Sequence, residues 1–489
     1  MKIIIGNIES QAIIGGVDNL LPFDLQKTLK KYLSMEIPGY RFTPAFKNSK
    51  GRWDGKKYFI TDSGKFATGF LPAILTYMDE LKVSVEIEDT RGSIPVMSLD
   101  NFDSSVGEWT LRENQEKAVK KVNNFIRWSG EPIYFPRGIV DAATNAGKNS
   151  IMAGIVNNFP DQMALMIINR ESIYKQAVEF FSTIFPVGMI DSKNYTLNRF
   201  TVAMQQSLMN RASDSLNVRN DLGKFGILFA DEAHFAGGKD YARLLSMVPA
   251  PIRILVSGTP LDTVNELNNY VIIGSSGIPI AKITNKELID KGYSLKPKVH
   301  FLYNGVKAAE GNYPEQVKSA ITLCEERMNE FKNAVIEEGW LGKQTLIAFE
   351  EIEHGNFMYE SLINDERFKE VEIDIVHGLS KNREQKILDF KNSKTKILLG
   401  STIMQEGLNI PDIEVLFFAL AGKAKIPVKQ FAGRLLRTNG VLTEGILVDF
   451  YDDCEWLDVH SRKRLKIYRE EEFEIIFRYN ADKLGRKKK

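Results

Sequence analysis

The chain lacks most of what would mark a secreted, membrane-embedded or metal-centred protein. Its 489 residues include only two cysteines, Cys324 and Cys454. They lie too far apart for a metal-spaced cluster and are too few for a disulfide framework, which fits a reducing compartment. No apolar run approaches the roughly 20 residues that cross a bilayer, so no membrane partner is expected. The opening stretch MKIIIGNIESQAIIGG is broken by Asn7, Glu9, Ser10 and Gln11, and it is not expected to act as a signal peptide. A cytoplasmic protein is the expectation. Charge of one sign is also missing. The net charge is +1, so attraction to nucleic acid has to come from local patches. Short repeats and low-complexity tracts are absent too.

What is present is the composition of a globular protein, with 43% hydrophobic and 26% charged residues. The length suits roughly three domains. Residues 1–100 read as a small α+β domain, and the polar, aperiodic stretch around 101–109 reads as a linker. From 110 to 285, short apolar runs alternate with helical patterns. The runs are GIVDAA (138–143), ALMIIN (164–169), FTVAM (200–204), GILFAD (226–231) and RILVSG (253–258). Continuous apolar strands separated by helices predict a parallel sheet covered on both faces. The pattern restarts over 286–460 with TLIAF (345–349), EIDIVHG (372–378), KILLGS (396–401), VLFFAL (415–420) and GILVDF (445–450). The fold class is therefore α/β, with two tandem parallel-sheet domains behind the small N-terminal one. Residues 461–489 read as a C-terminal helix followed by the basic tail GRKKK.

DAATNAGKNS (141–150) joins a predicted strand to a predicted helix through Thr144, Asn145, Ala146, Gly147 and Lys148. That is the context of a phosphate loop. Its backbone N–H groups and the helix N-terminus favour a polyphosphate, and Lys148 adds a point charge. A Gly-Lys pair in a turn before a helix is common on its own. About 80 residues later, GILFADEAHFAGG places Asp231 and Glu232 at the end of a buried strand. Adjacent carboxylates there otherwise cap the next helix. VSGTP (256–260) follows.

Phosphate loop, Asp-Glu-Ala-His box and Ser257-Gly258-Thr259, in this order, resemble a superfamily 2 DEAH-box helicase or translocase. GSTIMQEGLNIPD (400–412) is similar to that family's fifth motif, and QFAGRLLR (430–437) to its sixth. LRENQ (111–115) resembles its adenine-reading segment. The resemblance covers roughly residues 110–455 and implies two RecA-like domains that use ATP and Mg2+. It assigns Arg112 and Gln115 to the adenine. Thr144, Asn145, Ala146, Gly147, Lys148, Asn149 and Ser150 go to the phosphates and their metal, and Gly407 and Asn409 to the nucleotide from the second domain. Asp231 would hold magnesium, Glu232 would orient the attacking water, and Arg434 and Arg437 would act as arginine fingers. Phosphoryl transfer needs such positioning and charge neutralisation more than covalent chemistry.

Two positions depart from the family pattern. Asn149 stands where Ser or Thr supplies a hydroxyl to magnesium. Its side-chain carbonyl is still a hard oxygen, so the implied site is an ATPase with weaker magnesium binding, and a deliberately weakened site is the alternative. Asn409 replaces a frequent Asp and keeps an acceptor without the charge.

The resemblance also implies a nucleic-acid path. Asn169 and Arg170 match the first strand-contacting motif, Gln205 and Gln206 the next, and Thr402 belongs to the fifth. FEEIEHG (349–355) and VHGLS (376–380) occupy equivalent places in the second domain. There His354 and His377 read more simply as ordinary histidines. In the N-terminal domain, GYRFTPAFKNSKGRWDGKKYF (39–59) interleaves aromatics with Arg41, Lys47, Lys50, Arg52, Lys56 and Lys57. Such rings either stack on bases or pack a core, while the cations neutralise phosphates. Trp53 and the basic residues are the DNA-contact candidates. Gly-Tyr-Arg-Phe-x-Pro-x-Phe, then Trp-Asp-Gly, then GFLP (69–72), resemble the N-terminal domain of phage UvsW-type helicases, and Arg464 to Lys483 resemble their C-terminus. That group implies remodelling of branched DNA: Holliday junction branch migration, fork regression and R-loop unwinding in phage recombination, replication and repair. The expected partner is branched or double-stranded DNA, with single-stranded DNA or an RNA–DNA hybrid as further substrates. The expected protein is monomeric, in the host cytoplasm if phage-encoded. The alternatives are an RNA helicase, or a nucleotide-gated DNA-binding module with weak turnover.

Overall fold

The computed structural model describes residues 1–13, 23–232, 236–261, 266–303, 306, 310–401, 413–420 and 445–479. It divides into two units, one of Met1–Ala142 with Ala146–Ile283, the other of Ala143–Asn145 with Thr284–Lys489.

The first unit begins with a four-stranded sheet of β1 (Lys2–Ile5), β2 (Glu9–Ile13), β3 (Lys65–Ala67) and β4 (Glu86–Asp89), in the order β3-β2-β1-β4. Helices α1 (Phe23–Tyr32) and α2 (Leu71–Glu80) accompany it. The buried face of α2 is Leu71, Ile74, Leu75 and Met78, the spacing of an amphipathic helix. This core does not close at residue 100. A hairpin of Phe125–Trp128 and Glu131–Tyr134 lies beyond the expected boundary. Its Ile126, Trp128 and Ile133 pack on that core, as does Tyr270 from the α/β part. Trp128 Nε1 donates to Val85 O at 2.9 Å, and Arg91 donates to Tyr134 O at 2.7 Å.

The expected linker is also a packed element. Asp103 N donates to Asn158 Oδ1 at 2.9 Å, and Asn157 Nδ2 donates to Ser105 O at 2.7 Å. Val106 is fully buried. Ser105–Val106 and Trp109–Thr110 pair as a short antiparallel hairpin, and polar composition carried no sign of it or of the two asparagines that tie the backbone down.

The α/β part holds a seven-stranded sheet: β5 (Arg137–Ala142), β6 (Met163–Ile168), β7 (Val187–Ile190), β8 (Phe200–Met204), β9 (Phe225–Asp231), β10 (Ile252–Ser257) and β11 (Pro279–Ile283). Its order is β7-β8-β6-β9-β10-β5-β11. All its pairings are parallel. The helices flanking it include α3 (Glu113–Lys120), α4 (Lys148–Asn157), α5 (Glu171–Ser182), α6 (Gln205–Asp214), α7 (Lys239–Met247) and α8 (Glu266–Ser276). The five strands expected from apolar runs all form. The two unexpected ones, β7 and β11, are the edges. Their burial alternates or is partial, so they lack the continuous apolar run that betrays a central strand.

The second unit repeats the plan with β12 (Pro297–Tyr303), β13 (Thr345–Phe349), β14 (Ile373–Val376), β15 (Ile397–Ser401), β16 (Val415–Phe418), β17 (Gly445–Tyr451) and β18 (Glu474–Tyr479). They are ordered β14-β15-β13-β16-β17-β12-β18, again with parallel pairings. Helices α9 (Glu325–Glu337), α10 (Ile352–Ile363) and α11 (Glu455–Glu470) belong to it. The C-terminal expectation needs correction. The helix ends at Glu470, the chain turns at Glu472 with φ 55°, and Glu474–Tyr479 joins the sheet beside β12. EIIFRY has the β-branched and aromatic content of a strand; charges scattered through it imitated a helix face. The tail from 480 onward lies outside the described residues. Inside this unit Arg464 and Asp449 form a fully buried pair at 2.9 Å, and Tyr468 Oη donates to the same carboxylate at 2.7 Å. The network fastens α11 to β17. Among the described residues, no helix is long and apolar enough to cross a membrane.

Candidate nucleotide site

Parallel strands deliver their C-terminal ends to one edge of a sheet, and the loops there collect functional groups. β5 ends at Ala142 and runs into the glycine-containing loop. Asn145 has φ 71° and Gly147 φ 73°. At Gly147 the left-handed backbone is only half the reason for glycine: an added Cβ would lie 2.3 Å from Gln115 Nε2. Gly147 is the N-cap of α4, whose first residue is Lys148. Asn149 and Ser150 follow within the first turn, both half-buried, and Thr144 is half-buried in the preceding turn.

β9 brings the carboxylates to the same edge. Its neighbour β10 pairs Val256 with Asp231 and, on its other side, Ser257 with Asp141. Lys148 Nζ lies 2.9 Å from Glu232 Oε1 and 3.4 Å from Asp231 Oδ1. Ser257 Oγ donates to Glu232 Oε2 at 3.3 Å and accepts from Thr259 N at 3.2 Å. Glu232 itself has φ 50°, a conformation that costs a non-glycine residue on the order of 1 kcal/mol and recurs at functional sites. Its N–H donates to Asp231 Oδ1 at 2.9 Å. Burial disfavours the Lys148 ammonium, yet the facing Asp231 and Glu232 carboxylates outweigh it and hold its pKa above the ordinary lysine value. Burial, with the charge of Glu232 behind it, holds the Asp231 carboxyl above the usual aspartate value. A half-buried lysine and two carboxylates thus neutralise one another across the loop. An incoming polyphosphate would compete for the lysine and a divalent cation for the carboxylates. The donors suit Mg2+, which takes one or two carboxylates beside phosphate oxygens and water: Asp231 offers a carboxylate and Asn149 a neutral amide oxygen.

Gln115 is buried, and both ends of its amide are engaged. Oε1 accepts from Arg112 N at 2.9 Å, and Nε2 donates to Ala146 O at 2.8 Å. The adenine candidate is thereby fastened to the phosphate loop, while the Arg112 side chain is exposed. Ser257 is the residue that sequence reasoning did not place in the site; its motif was visible, but not its bond to Glu232. Gly407, Asn409, Thr402, Arg434, Arg437, Ala233 and His234 lie outside the described residues.

The nucleic-acid candidates fall in three places. Asn169 and Arg170 are half-buried between β6 and α5. Burial lowers the pKa of Arg170, and Glu232 pulls it back up, so this arginine feels the carboxylate of the nucleotide site. Gln205 and Gln206 open α6, the second more exposed. In the N-terminal part Arg41, Lys47, Lys50 and Arg52 are exposed and Lys56 is half-buried. Trp53 is framework as well: Nε1 donates to Lys56 O at 3.0 Å, and its ring packs edge-on against Tyr40 at 6.1 Å. His354 is buried in the first turn of α10, away from any open face.

Three family models cover most of the chain. The N-terminal domain of the DNA helicase UvsW matches residues 19–88. The res subunit of type III restriction enzymes matches 108–262, and the helicase conserved C-terminal domain matches 328–439. With two parallel seven-stranded sheets and the lysine–carboxylate site, they define the class: the chain belongs to the superfamily 2 helicases and is an ATP-dependent helicase with RecA-like domains. Within that class it is UvsW-like. It is 22% identical to the ATP-dependent DNA helicase UvsW of enterobacteria phage T4, over 92% of this chain and 94% of the relative. A putative ATP-dependent RNA helicase of Acanthamoeba polyphaga mimivirus is 24% identical over 82% of this chain and 76% of its own length. Among solved structures, S. cerevisiae Dbp5 bound to RNA and ADP BeF3 superposes with a TM-score of 0.53 at 13% identity, covering 80% of this chain and 98% of that one. That likeness speaks for the fold.

Proposed function

We propose that the protein is an ATP-dependent DNA translocase that remodels branched DNA, through junction branch migration, fork regression and R-loop unwinding, in recombination, replication and repair. The observation that carries this reading is the UvsW-type N-terminal module with its exposed cations, packed on the ATPase unit by a common core. In this reading Lys148 and the loop N–H groups hold the phosphates. Asp231, with Asn149 beside it, holds Mg2+, which supplies charge neutralisation at the phosphoryl group. Glu232 orients the attacking water, and Ser257 holds Glu232 in place. Gln115 couples base recognition to the loop, and Gly407, Asn409, Arg434 and Arg437 act on the nucleotide from the second α/β domain. Arg41, Lys47, Lys50, Arg52 and Lys56 meet DNA phosphates; Asn169, Arg170, Gln205, Gln206 and Thr402 track the strand. The protein acts as a monomer, in the host cytoplasm if phage-encoded.

Steady-state ATPase measured without nucleic acid, and with single strands, duplex, fork, four-way junction and RNA, tests the proposal. Branched DNA should stimulate most. The mimivirus relative, named an RNA helicase, favours a second reading, and stimulation by RNA above every DNA would establish it instead. DNA binding with negligible turnover on every substrate would make the protein a nucleotide-gated binding module.

A further inference from the structure

The stretch 39–59 holds six aromatic residues, and the structure accounts for five of them. Tyr40 packs edge-on against Phe46 at 5.3 Å and Trp53 at 6.1 Å. Gly55 sits so close beneath Tyr40 that an added Cβ would meet the ring at 2.3 Å. Phe59 stacks on Tyr270 at 5.0 Å and contacts Phe70 at 5.7 Å. Tyr58 donates to Asp54 and receives Lys30 over its ring at 5.5 Å. Phe42 alone of the six has no such role. It is 83% exposed, more than any other large apolar side chain among the described residues.

Isolated exposed apolar side chains are ordinary on protein surfaces, so exposure by itself decides nothing. Two further observations set Phe42 apart. Its backbone is held. Gly39 enters the turn at φ 67°, Phe42 N donates to Gly39 O at 2.9 Å, and Thr43 N donates to Tyr40 O at 3.0 Å. Thr43 Oγ1 then caps the next short helix through Phe46 N at 3.3 Å. The surroundings are also cationic: Arg41 adjoins it, with Lys47, Lys50 and Arg52 following in the same compact segment, all exposed. None of these four forms an ion pair among the described residues. An aromatic side chain on a held backbone, beside cations with no acidic partner among the described residues, matches a polyanion that carries exposed π-faces. In continuous duplex those faces are hidden by stacking; at a branch point the terminal base pair and unpaired bases expose them.

We propose that Phe42 stacks on the base exposed at a DNA branch while Arg41, Lys47, Lys50 and Arg52 neutralise the flanking phosphates. This rests on the reading that residues 39–59 face DNA. Phe42 would then convert general DNA affinity into preference for a branch. Base–aromatic stacking carries a tenfold order of affinity per base.

The test uses the full chain and measures affinity for a four-way junction, a fork and a continuous duplex of equal length. A second readout is the fluorescence of 2-aminopurine at the branch, which stacking quenches. Phe42→Ala should weaken junction and fork binding about tenfold, leave duplex binding unchanged and abolish the added quenching. Phe42→Trp should restore both. A quadruple variant with Arg41, Lys47, Lys50 and Arg52 all changed to Gln should weaken binding to all three DNAs and flatten the salt dependence. If the quadruple variant weakens binding but Phe42→Ala behaves as wild type, stacking is overturned and the DNA face stands. If both are inert, the stretch leaves the interface and the inference falls with that reading. Equal losses on duplex and junction for Phe42→Ala also overturn it. Thermal unfolding of each variant checks the fold.

Discussion

Glu232 holds a backbone conformation that disfavours any side chain, and Lys148 and Ser257 bond its two carboxylate oxygens. Strain held in place by charge-assisted bonds is a way to aim one group. Glu232→Gln keeps the shape and removes the carboxylate charge. ATP should still bind, while kcat should fall by roughly 10²- to 10⁴-fold; turnover at the wild-type rate in a steady-state assay would remove Glu232 from the water-orienting role. Asn149 sets a second prediction at this scale. Its side chain is bulkier than a hydroxyl and its amide nitrogen repels a cation when it faces inward, so the proposed magnesium site carries one misfit ligand. Asn149→Thr should lower the magnesium concentration for half-maximal hydrolysis by up to about tenfold, equivalent to about 1.4 kcal/mol. Superimposable magnesium titrations would show Asn149 to be a neutral spelling of the loop.

At the scale of single elements, α10 buries a titratable group. His354 lies in its first turn, where the helix N-terminus disfavours a cation. Burial, then Arg327, push its pKa down to about 3 from 6.5. An imidazole that resists protonation only when folded contributes stability in full above about pH 6.5. That stability drains as pH falls toward 3, because the unfolded chain takes up the proton first. The slope approaches ~1.4 kcal/mol per pH unit at most. The urea midpoint of the second unit's unfolding should therefore drop between pH 7.5 and pH 5, and His354→Leu should flatten that dependence. A variant that loses stability with acid as steeply as the wild type would place the titration elsewhere. At the same scale β18 shows how an edge strand escapes notice. Glu474–Tyr479 is short and carries charges at Glu474 and Arg478, four residues apart as on a helix face, and only pairing with β12 tells it from a helix end.

Across the whole first unit, the N-terminal module and the first α/β sheet share apolar contacts. Tyr270 and Ile273 from α8, and Ile126, Trp128 and Ile133 from the hairpin, pack on the N-terminal core. Arg137 Nη2 donates to Asn7 O at 2.8 Å across the same seam, beside a cavity of about 220 Å³ lined by Phe59, Phe70 and Tyr270. Removing residues 1–100 would uncover these side chains. The truncated chain should melt at lower temperature than the full chain and aggregate; a well-behaved, equally stable fragment would show the seam to be dispensable. The shared core also places the cationic stretch 39–59 in the same compact unit as Gly147, Lys148 and the Asp231–Glu232 pair; in the proposed reading, DNA held there would rest on the part that binds ATP.

The amino-acid sequence on its own determined ten of the fourteen strands of the two large sheets, because buried parallel strands demand continuous apolar runs, and it determined the phosphate loop and the Asp231–Glu232 pair, because their chemistry needs particular residues at fixed local spacing. Only the tertiary structure decided what depends on contacts between distant segments. It set the edge strands β7, β11 and β18, the interior strand β12 between β17 and β18, and the clamping of 103–106 by Asn157 and Asn158. It joined Ser257 to Glu232 and Gln115 to the loop, and it sorted the aromatics of 39–59 into a packed set and one exposed ring. Composition states which residues a segment has; which of them find partners is settled by the surfaces that folding brings against them.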